Sequence, residues 1–214
     1  MKLQIVYDNH GKTGFKEGWG FSCYLPEYKL LFDTGWDANR LLDNMKKLDI
    51  DPEEIQKVVI SHQHWDHVGG LPGIIKPGME VIVPASFSEH MKGEIKKIAV
   101  LREVKDREEI IPGIISSGQL GSKIKEQAIA VETDSGLLVI TGCAHPGVGT
   151  ILQAFNPVGK IKGLVGGLHG FDNYSLLKNM KLIVATHCTK HADEIARKYP
   201  DAFKHGRVGD EIFF

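Results

Sequence analysis

Short apolar runs bounded by glycine, proline or charged residues recur along the whole chain. Residues 2–7 alternate between apolar and polar side chains, as a strand does. Residues 57–60 read Lys-Val-Val-Ile, a β-branched apolar run without alternation that indicates a strand buried on both faces. Similar runs predict strands at residues 21–25, 29–32, 80–84, 98–103, 127–132, 137–141, 161–165 and 182–186.

Helical spacing of apolar residues is found between several of these runs. Asp37 can cap a helix whose apolar residues recur every three or four positions from Ala38 to Leu48. Residues 191–199 show the same spacing before Pro200 ends the segment, and a helix-start signal lies at Asp51. Further helices are predicted at residues 86–91 and 147–155.

The order of these elements predicts an α/β (α+β) fold. Strands form meanders in some places and alternate with helices in others, which favours two mixed sheets packed face to face with helices outside. The expected architecture is a four-layer sandwich. At 214 residues, with no linker-like stretch, the chain is expected to form a single domain over residues 1–214.

Composition narrows the classes of partner. Lys and Arg number 26 against 27 Asp and Glu, so the chain offers no general field for a polyanion, and no nucleic-acid partner is expected. No apolar run approaches membrane-spanning length and no signal core follows Met1, which predicts a cytoplasmic protein with no membrane partner. Three widely spaced cysteines without a C-x-x-C pair fit neither a disulfide scaffold nor a zinc ribbon. Oligomeric state is not predicted.

The most informative motif directly follows the strand at residues 57–60. Residues 61–67 read Ser-His-Gln-His-Trp-Asp-His, which places His62, His64, Asp66 and His67 within six positions. Three imidazoles and a carboxylate stripped of solvent would cost stability unless a cation uses their lone pairs. We therefore predict a site for one or two divalent metal ions, with zinc expected and iron or manganese as alternatives.

Other candidate ligands also follow predicted strands, where α/β proteins place their sites. His145 and His187 come directly after apolar strands and are predicted to bind metal. His169 has the same placement, and its role is left open between the metal, catalysis and packing. Asp33 ends a buried strand and is expected to accept a hydrogen bond from a metal-bound histidine. Cys188 is expected to be a buried, inert thiol, with ligation as the alternative.

The remaining histidines and three aromatic residues carry weaker expectations. His10, His90, His191 and His205 fall on predicted loops or helix surfaces and are interpreted as ordinary solvated side chains, although the His10 loop could fold over the site. Candidate pocket walls are Phe15, Trp19 and Trp65, with ordinary packing as the alternative.

With this motif, the upstream Asp33-Thr34-Gly35 and later strand-end histidines, the sequence resembles the metallo-β-lactamase superfamily over most of its length. The resemblance implies an αββα sandwich with a one- or two-metal site along one edge of the sheets. It assigns the ligands of the two ions as His62, His64 and His145 for one, and Asp66, His67 and His187 for the other. The family commonly bridges its metals with an aspartate, whereas that region here reads Gly-Gly-Leu-His169-Gly, and the nearby Asp172 is not in a strand-end context.

Several segments narrow the resemblance to one branch. Thr-Gly-Cys-Ala-His145-Pro-Gly, Thr-His187-Cys-Thr and the opening Val-Tyr-Asp8-Asn9 look like the branch that contains dihydropterin-ribofuranosylaminobenzene-phosphate synthase and many uncharacterised metal-dependent hydrolases.

Hydrolysis of a small molecule is the predicted reaction, with metal-activated water attacking an ester, lactone or phosphoester bond. In that mechanism Asp66 orients the water and His169 bonds the substrate or leaving group. One alternative is a transferase that joins a dihydropterin diphosphate to a ribofuranosylaminobenzene phosphate. The others are a small phosphodiesterase and a non-enzymatic, metal-dependent binding module.

Overall fold

The computed structural model describes residues 1–214 as two seven-stranded sheets with helices on their outer faces. The strands are β1 Lys2–Tyr7, β2 Ser22–Leu25, β3 Leu30–Phe32, β4 Lys57–Val59, β5 Glu80–Pro84, β6 Val100–Val104, β7 Glu108–Ile111, β8 Ile114–Ser116, β9 Ile129–Thr133, β10 Gly136–Thr141, β11 Ile161–Gly167, β12 Leu182–Thr186, β13 Phe203–His205 and β14 Glu211–Phe213. The helices are α1 Ala38–Lys47, α2 Trp65–Val68, α3 Glu89–Lys96, α4 Val148–Phe155 and α5 Ala192–Lys198.

Both sheets are mixed, as predicted. The first has the order β14-β1-β2-β3-β4-β5-β6, antiparallel from β14 to β3 and parallel from β3 to β6. The second has the order β13-β12-β11-β10-β9-β8-β7, parallel from β13 to β10 and antiparallel onward. The carboxyl ends of β3 and β4 therefore lie together in one sheet, and those of β10, β11 and β12 lie together in the other.

Three apolar cores divide the molecule into four layers. The central core joins inward residues of both sheets, such as Leu3 and Phe32 from the first and Ile129 and Leu138 from the second. A second core packs α1 and α3 against the first sheet, and a third packs α4 and α5 against the second. The predicted four-layer αββα sandwich is confirmed, while the single-domain boundary at residues 1–214 stays a prediction.

Several local predictions differ from the structure. The helix predicted at residues 86–91 begins at Glu89 instead, because the Ser88 hydroxyl accepts a hydrogen bond from the Met91 backbone N–H and caps it there. The start signal at Asp51 produces only one 3-10 turn, Pro52–Glu54, before β4 begins. Strands β7, β8, β13 and β14 were not predicted. Each has only three or four residues, which is too short for a recognisable alternation of apolar and polar side chains.

Left-handed backbone conformations occur at the carboxyl ends of β3, β10, β11 and β12. Six non-glycine residues have a positive φ, and four of them follow these strands at one edge of the sandwich: Asp33, Ala144, His169 and His187. Such conformations are strained for residues with a Cβ and persist when surrounding contacts impose them. They turn the chain sharply after each strand and set the direction of the side chains there.

None of the helices is both long and apolar enough to cross a membrane.

Candidate metal centre

Three predicted ligands form a first cluster at this edge. The ligand atoms of His62, His64 and His145 lie within 4.8 Å of one another. The ring centroid of His62 is 4.6 Å from that of His64 and 4.6 Å from that of His145. His62 is fully buried, His145 is half-buried and His64 is exposed, so the cluster reaches from the interior to the surface.

A second cluster adjoins the first. It contains the predicted ligands Asp66, His67 and His187 together with Cys143, all with ligand atoms within 4.8 Å of one another. Asp66 Oδ2 is 3.0 Å from His187 Nε2, and Cys143 Sγ is 3.2 Å from His67 Nε2. The ring centroids of His62 and His67 lie 4.2 Å apart, so the two clusters are in contact through these rings. All six predicted ligands therefore lie in one of the two groups.

Four of the imidazoles use Nδ1 for a hydrogen bond outside the clusters. The partners are Ser61 Oγ for His62 at 2.9 Å, Asp33 Oδ2 for His67 at 2.7 Å, Glu126 Oε2 for His145 at 2.8 Å and Asn9 Oδ1 for His187 at 3.0 Å. Carboxylate and amide oxygens can only accept, and the Ser61 hydroxyl already donates to Asp33, which assigns the proton to each Nδ1. The Gly20 backbone N–H also lies 3.2 Å from His187 Nδ1, but it has Asn9 Oδ1 at the same distance as its acceptor. With the proton on Nδ1, the Nε2 lone pair of each ring is left for the clusters.

This arrangement fits a cation. His62 Nε2 is buried and has no hydrogen-bond partner, which costs free energy in a protein interior. His187 Nε2 faces the Asp66 carboxylate, so two acceptors meet at hydrogen-bond distance unless positive charge lies between them. Histidines oriented through Nδ1 by carboxylates or carbonyls are typical of metal sites. The donor set thus suits divalent ions.

Burial keeps two of the rings in the form that binds metal. Desolvation, reinforced by the neighbouring His67, holds the pKa of His62 well below its ordinary 6.5. Desolvation and the neighbouring His187 lower the pKa of His67 to about 3. Both imidazoles are therefore neutral at pH 7, as metal ligation requires.

Glu126 is a functional residue that the sequence analysis missed. Its buried carboxylate accepts the backbone N–H groups of Cys143, Ala144 and His145, each at 2.9 Å, as well as the His145 Nδ1 proton. Burial alone would raise the pKa of Glu126, but the hydrogen bonds from the His145 ring and from the backbone N–H groups outweigh it and hold the pKa well below 4.5. Glu126 thus shapes the loop that carries Cys143 and His145.

Asp8 and Asn9 shape the turn that carries His187. Asp8 Oδ2 accepts the His187 backbone N–H at 2.8 Å, while Asn9 Nδ2 donates to the His187 carbonyl at 3.0 Å. These contacts hold the left-handed turn at His187. Asp33, predicted to support a histidine, bonds His67 and also accepts the Ser61 backbone N–H at 2.6 Å.

The two cysteines of this edge differ in burial. Cys188 was predicted to be buried but is only half-buried, because the left-handed turn at His187 redirects the chain just before it. Its thiol lies 3.8 Å from the Cys143 carbonyl oxygen. Cys143 is buried within the second cluster. The only sequence signal for the place of Cys143 in the second cluster was its position two residues before His145.

The remaining candidates lie around the clusters. His169 is exposed and belongs to neither cluster, but its ring centroid is 5.4 Å from that of His145. Partial burial and the neighbouring His145 lower the pKa of His169 from 6.5. Asp172 is exposed and also lies outside both clusters. His10, His90 and His205 are exposed, and His10 lines a cavity of about 400 Å³ beside His187.

Comparison with known proteins places this geometry in a family. Over 249 residues, covering 87% of this chain and 84% of the relative, the chain is 27% identical to 7,8-dihydropterin-6-methyl-4-(β-D-ribofuranosyl)-aminobenzene-5′-phosphate synthase of Methanocaldococcus jannaschii. It is 25% identical to an uncharacterized protein of the same organism, with 98% of this chain and 99% of the relative covered. Among solved structures, the metal-dependent hydrolase Tm1679 of the β-lactamase superfamily matches 100% of this chain and 99% of its own, with a TM-score of 0.85 and 23% identity.

The family model of the metallo-β-lactamase superfamily matches residues 22–156, which contain β2 through α4 and most of the candidate ligands. Given that match and the two histidine-rich clusters at one edge of an αββα sandwich, this chain belongs to the metallo-β-lactamase superfamily.

Proposed function

We propose that this protein is a metal-dependent hydrolase that cleaves an ester, lactone or phosphoester-type bond of a small molecule at a binuclear site. The observation that carries the proposal is the orientation of four imidazoles, whose Nδ1 protons are bound outside the clusters and whose Nε2 lone pairs are left for them. Two adjacent clusters of such groups suit chemistry better than a closed structural site, which is usually rich in cysteine.

In this proposal His62, His64 and His145 hold one ion, and Asp66, His67, His187 and Cys143 hold the other. A divalent ion with an open position lowers the pKa of bound water to about 7 and polarises a substrate oxygen. Zinc is the proposed metal, because imidazole, carboxylate and thiolate all suit it.

Asp66 and His169 have separate proposed tasks. The side chain of Asp66 is 14% exposed, so one face of its carboxylate is open toward a substrate and can orient the attacking water. His169 stands at the surface beside His145, where the N–H of its neutral ring can donate a hydrogen bond to the substrate or to the leaving-group oxygen.

The test is hydrolysis of a panel of esters, lactones and phosphodiesters by protein loaded with zinc, iron or manganese. We expect activity on at least one class, its loss after EDTA treatment and its return when metal is added. Full activity in protein shown by elemental analysis to be free of metal would contradict the proposal.

The second candidate is the transfer reaction, which the 27% identity to the synthase favours. Here the ions would hold a diphosphate leaving group while an arylamine attacks. Incubation with a dihydropterin diphosphate and a ribofuranosylaminobenzene phosphate separates the candidates. A condensed product supports the transferase, whereas diphosphate hydrolysis alone supports the hydrolase.

Cys143 gives a prediction about the second ion. Hydrogen bonding with Cys188 and burial raise the pKa of the Cys143 thiol, so it is neutral until a cation binds and displaces its proton. We expect Cys143→Ser to lower the affinity for the second metal at least tenfold and to remove the sulfur-to-cobalt charge-transfer band of cobalt-loaded protein. The matched variant Cys188→Ser should keep both, and an unchanged cobalt spectrum in Cys143→Ser would exclude thiolate ligation.

A further inference from the structure

All three tryptophans of the chain are about half exposed, although tryptophan is usually well buried. The exposed fractions are 57% for Trp19, 49% for Trp36 and 54% for Trp65. Trp19 and Trp36 line one cavity of about 480 Å³, together with Tyr7, Asp37 and Arg40. Trp65 lines a different, largely apolar cavity beside α3. The first cavity therefore presents two indole rings that the fold does not cover.

The backbone on which these indoles stand is tightly held. A Cβ at Gly20 would overlap the Asp66 carbonyl oxygen, and one at Gly69 would overlap the Trp36 carbonyl oxygen. Because both positions are glycine, the segments that carry Trp19, Trp36 and Asp66 pack against one another. Hydrogen bonds from Gly35 N to the Phe21 carbonyl at 3.0 Å and from Gly70 N to the Gly35 carbonyl at 3.2 Å join them. The indoles are thus attached to a rigid support and not to a loose loop.

One wall of the cavity, Trp19, contacts a residue of the candidate metal centre. The Trp19 ring centroid is 4.8 Å from that of His187, with an angle of 67° between the ring planes. His187 belongs to the second ligand cluster. Trp19 therefore connects the cavity to that cluster through one candidate ligand.

The polar residues of the cavity supply both hydrogen-bond acceptors and donors. Asp37 Oδ1 accepts the Arg40 backbone N–H at 2.8 Å as the cap of α1, which leaves Oδ2 for another partner. Arg40 Nη1 donates to the Glu17 carbonyl at 2.6 Å, which leaves the Nε and Nη2 protons. A carboxylate oxygen can accept a hydrogen bond from an N–H group of a ring, and the edge of a guanidinium can donate to its acceptor atoms.

We propose that this cavity binds a planar nitrogen-heteroaromatic group of the substrate, stacked on Trp19 and Trp36 and hydrogen-bonded at its edge by Asp37 and Arg40. Aromatic side chains bind flat π-systems by stacking, and exposed aromatics on fixed supports are the usual platforms for it. The inference rests on the proposed function, because it takes the bound molecule to be the substrate of the neighbouring metal centre. A pterin is one member of the class.

The experiment is calorimetric titration into metal-loaded protein. Pterin is the probe, and cyclohexanecarboxamide is the saturated compound with which its affinity is compared. We expect saturable binding of pterin and much weaker binding of the saturated compound. Trp36→Leu and Trp19→Leu should each weaken pterin binding about tenfold or more, the size typical for removal of one stacking aromatic. Asp37→Asn should also weaken it, because an asparagine still caps α1 but replaces one acceptor oxygen.

Phe213→Leu is the matched control, since Phe213 is 72% exposed on the distant edge strand β14. It should leave the affinity unchanged, and circular dichroism should confirm that every variant is folded. Equal pterin affinity in wild type and Trp36→Leu, or no saturable binding to the wild type, would overturn the inference. Pterin binding that depends on Trp36 in a protein that hydrolyses nothing would instead overturn the proposed function.

Discussion

Replacement of His62 by alanine is expected to remove about one metal ion per chain and to lower hydrolytic activity more than a hundredfold. His62 is fully buried and its Nε2 has no other partner. It belongs to the first cluster, with its ring centroid 4.6 Å from that of His145, and it adjoins the second, with the His67 ring centroid 4.2 Å away. Loss of a group that merely orients a ligand costs 10- to 100-fold in metal affinity or activity, so loss of a direct ligand should cost more. Elemental analysis and the rate on an accepted substrate measure the two effects.

The same change also removes the Nδ1 hydrogen bond to Ser61 Oγ and the volume of a buried ring, so the metal-free protein should lose stability as well. Metal content, measured on protein that circular dichroism shows to be folded, is therefore the readout that separates a ligand from an ordinary core residue. His90→Ala, which removes an exposed histidine of α3, is the control and should change neither metal content nor rate. Unchanged metal content in His62→Ala would remove His62 from the ligand set.

Glu126→Gln is expected to lower the free energy of unfolding by about 3 kcal/mol, within the range found when one partner of a buried charged network is removed. The carboxylate accepts three backbone N–H groups and the His145 ring proton, whereas the amide would direct its own NH₂ at some of these donors. Denaturant titration of metal-free protein measures the loss. Metal affinity should fall as well, because His145 loses its orientation.

The effect should depend on pH with a definite sign. The pKa of Glu126 in the folded protein lies below its unfolded value of 4.5, so its contribution is fully present above pH 4.5 and declines on acidification. The stability difference between wild type and Glu126→Gln should narrow as the pH falls below that value. Glu132→Gln, an exposed change on β9, serves as the control. Equal stability of wild type and Glu126→Gln at pH 7 would contradict the role given to Glu126.

The candidate ligands were largely predictable because metal sites of this kind use contiguous residues and strand ends. His62, His64, Asp66 and His67 fall within six positions, and a single strand and turn bring them together. His187 could be placed because it directly follows the apolar strand β12. Local patterns were sufficient for these residues.

Asp33 was predictable from its place at a strand end, but the other supporting residues were not. Glu126 lies in a charged segment before β9, where its letters indicate only a solvated loop. Its burial follows from the packing of that segment against the loop after β10, 17 to 19 residues further along the chain. Cys143 was passed over because a lone cysteine among small residues has no ligand spacing. The sharp turn at His187, which exposes Cys188, depends on Asp8 and Asn9 from the other end of the chain.

The amino-acid sequence by itself determined the layered α/β fold and the side chains that offer lone pairs to a metal, because both depend on periodicity and spacing along the chain. Only the tertiary structure decided how those side chains are aimed. The Nδ1 partners of His145 and His187 lie 19 and 178 residues away, and packed strand ends are what bring them together. A hydrogen bond across such a separation is set by sheet packing, which no local pattern encodes.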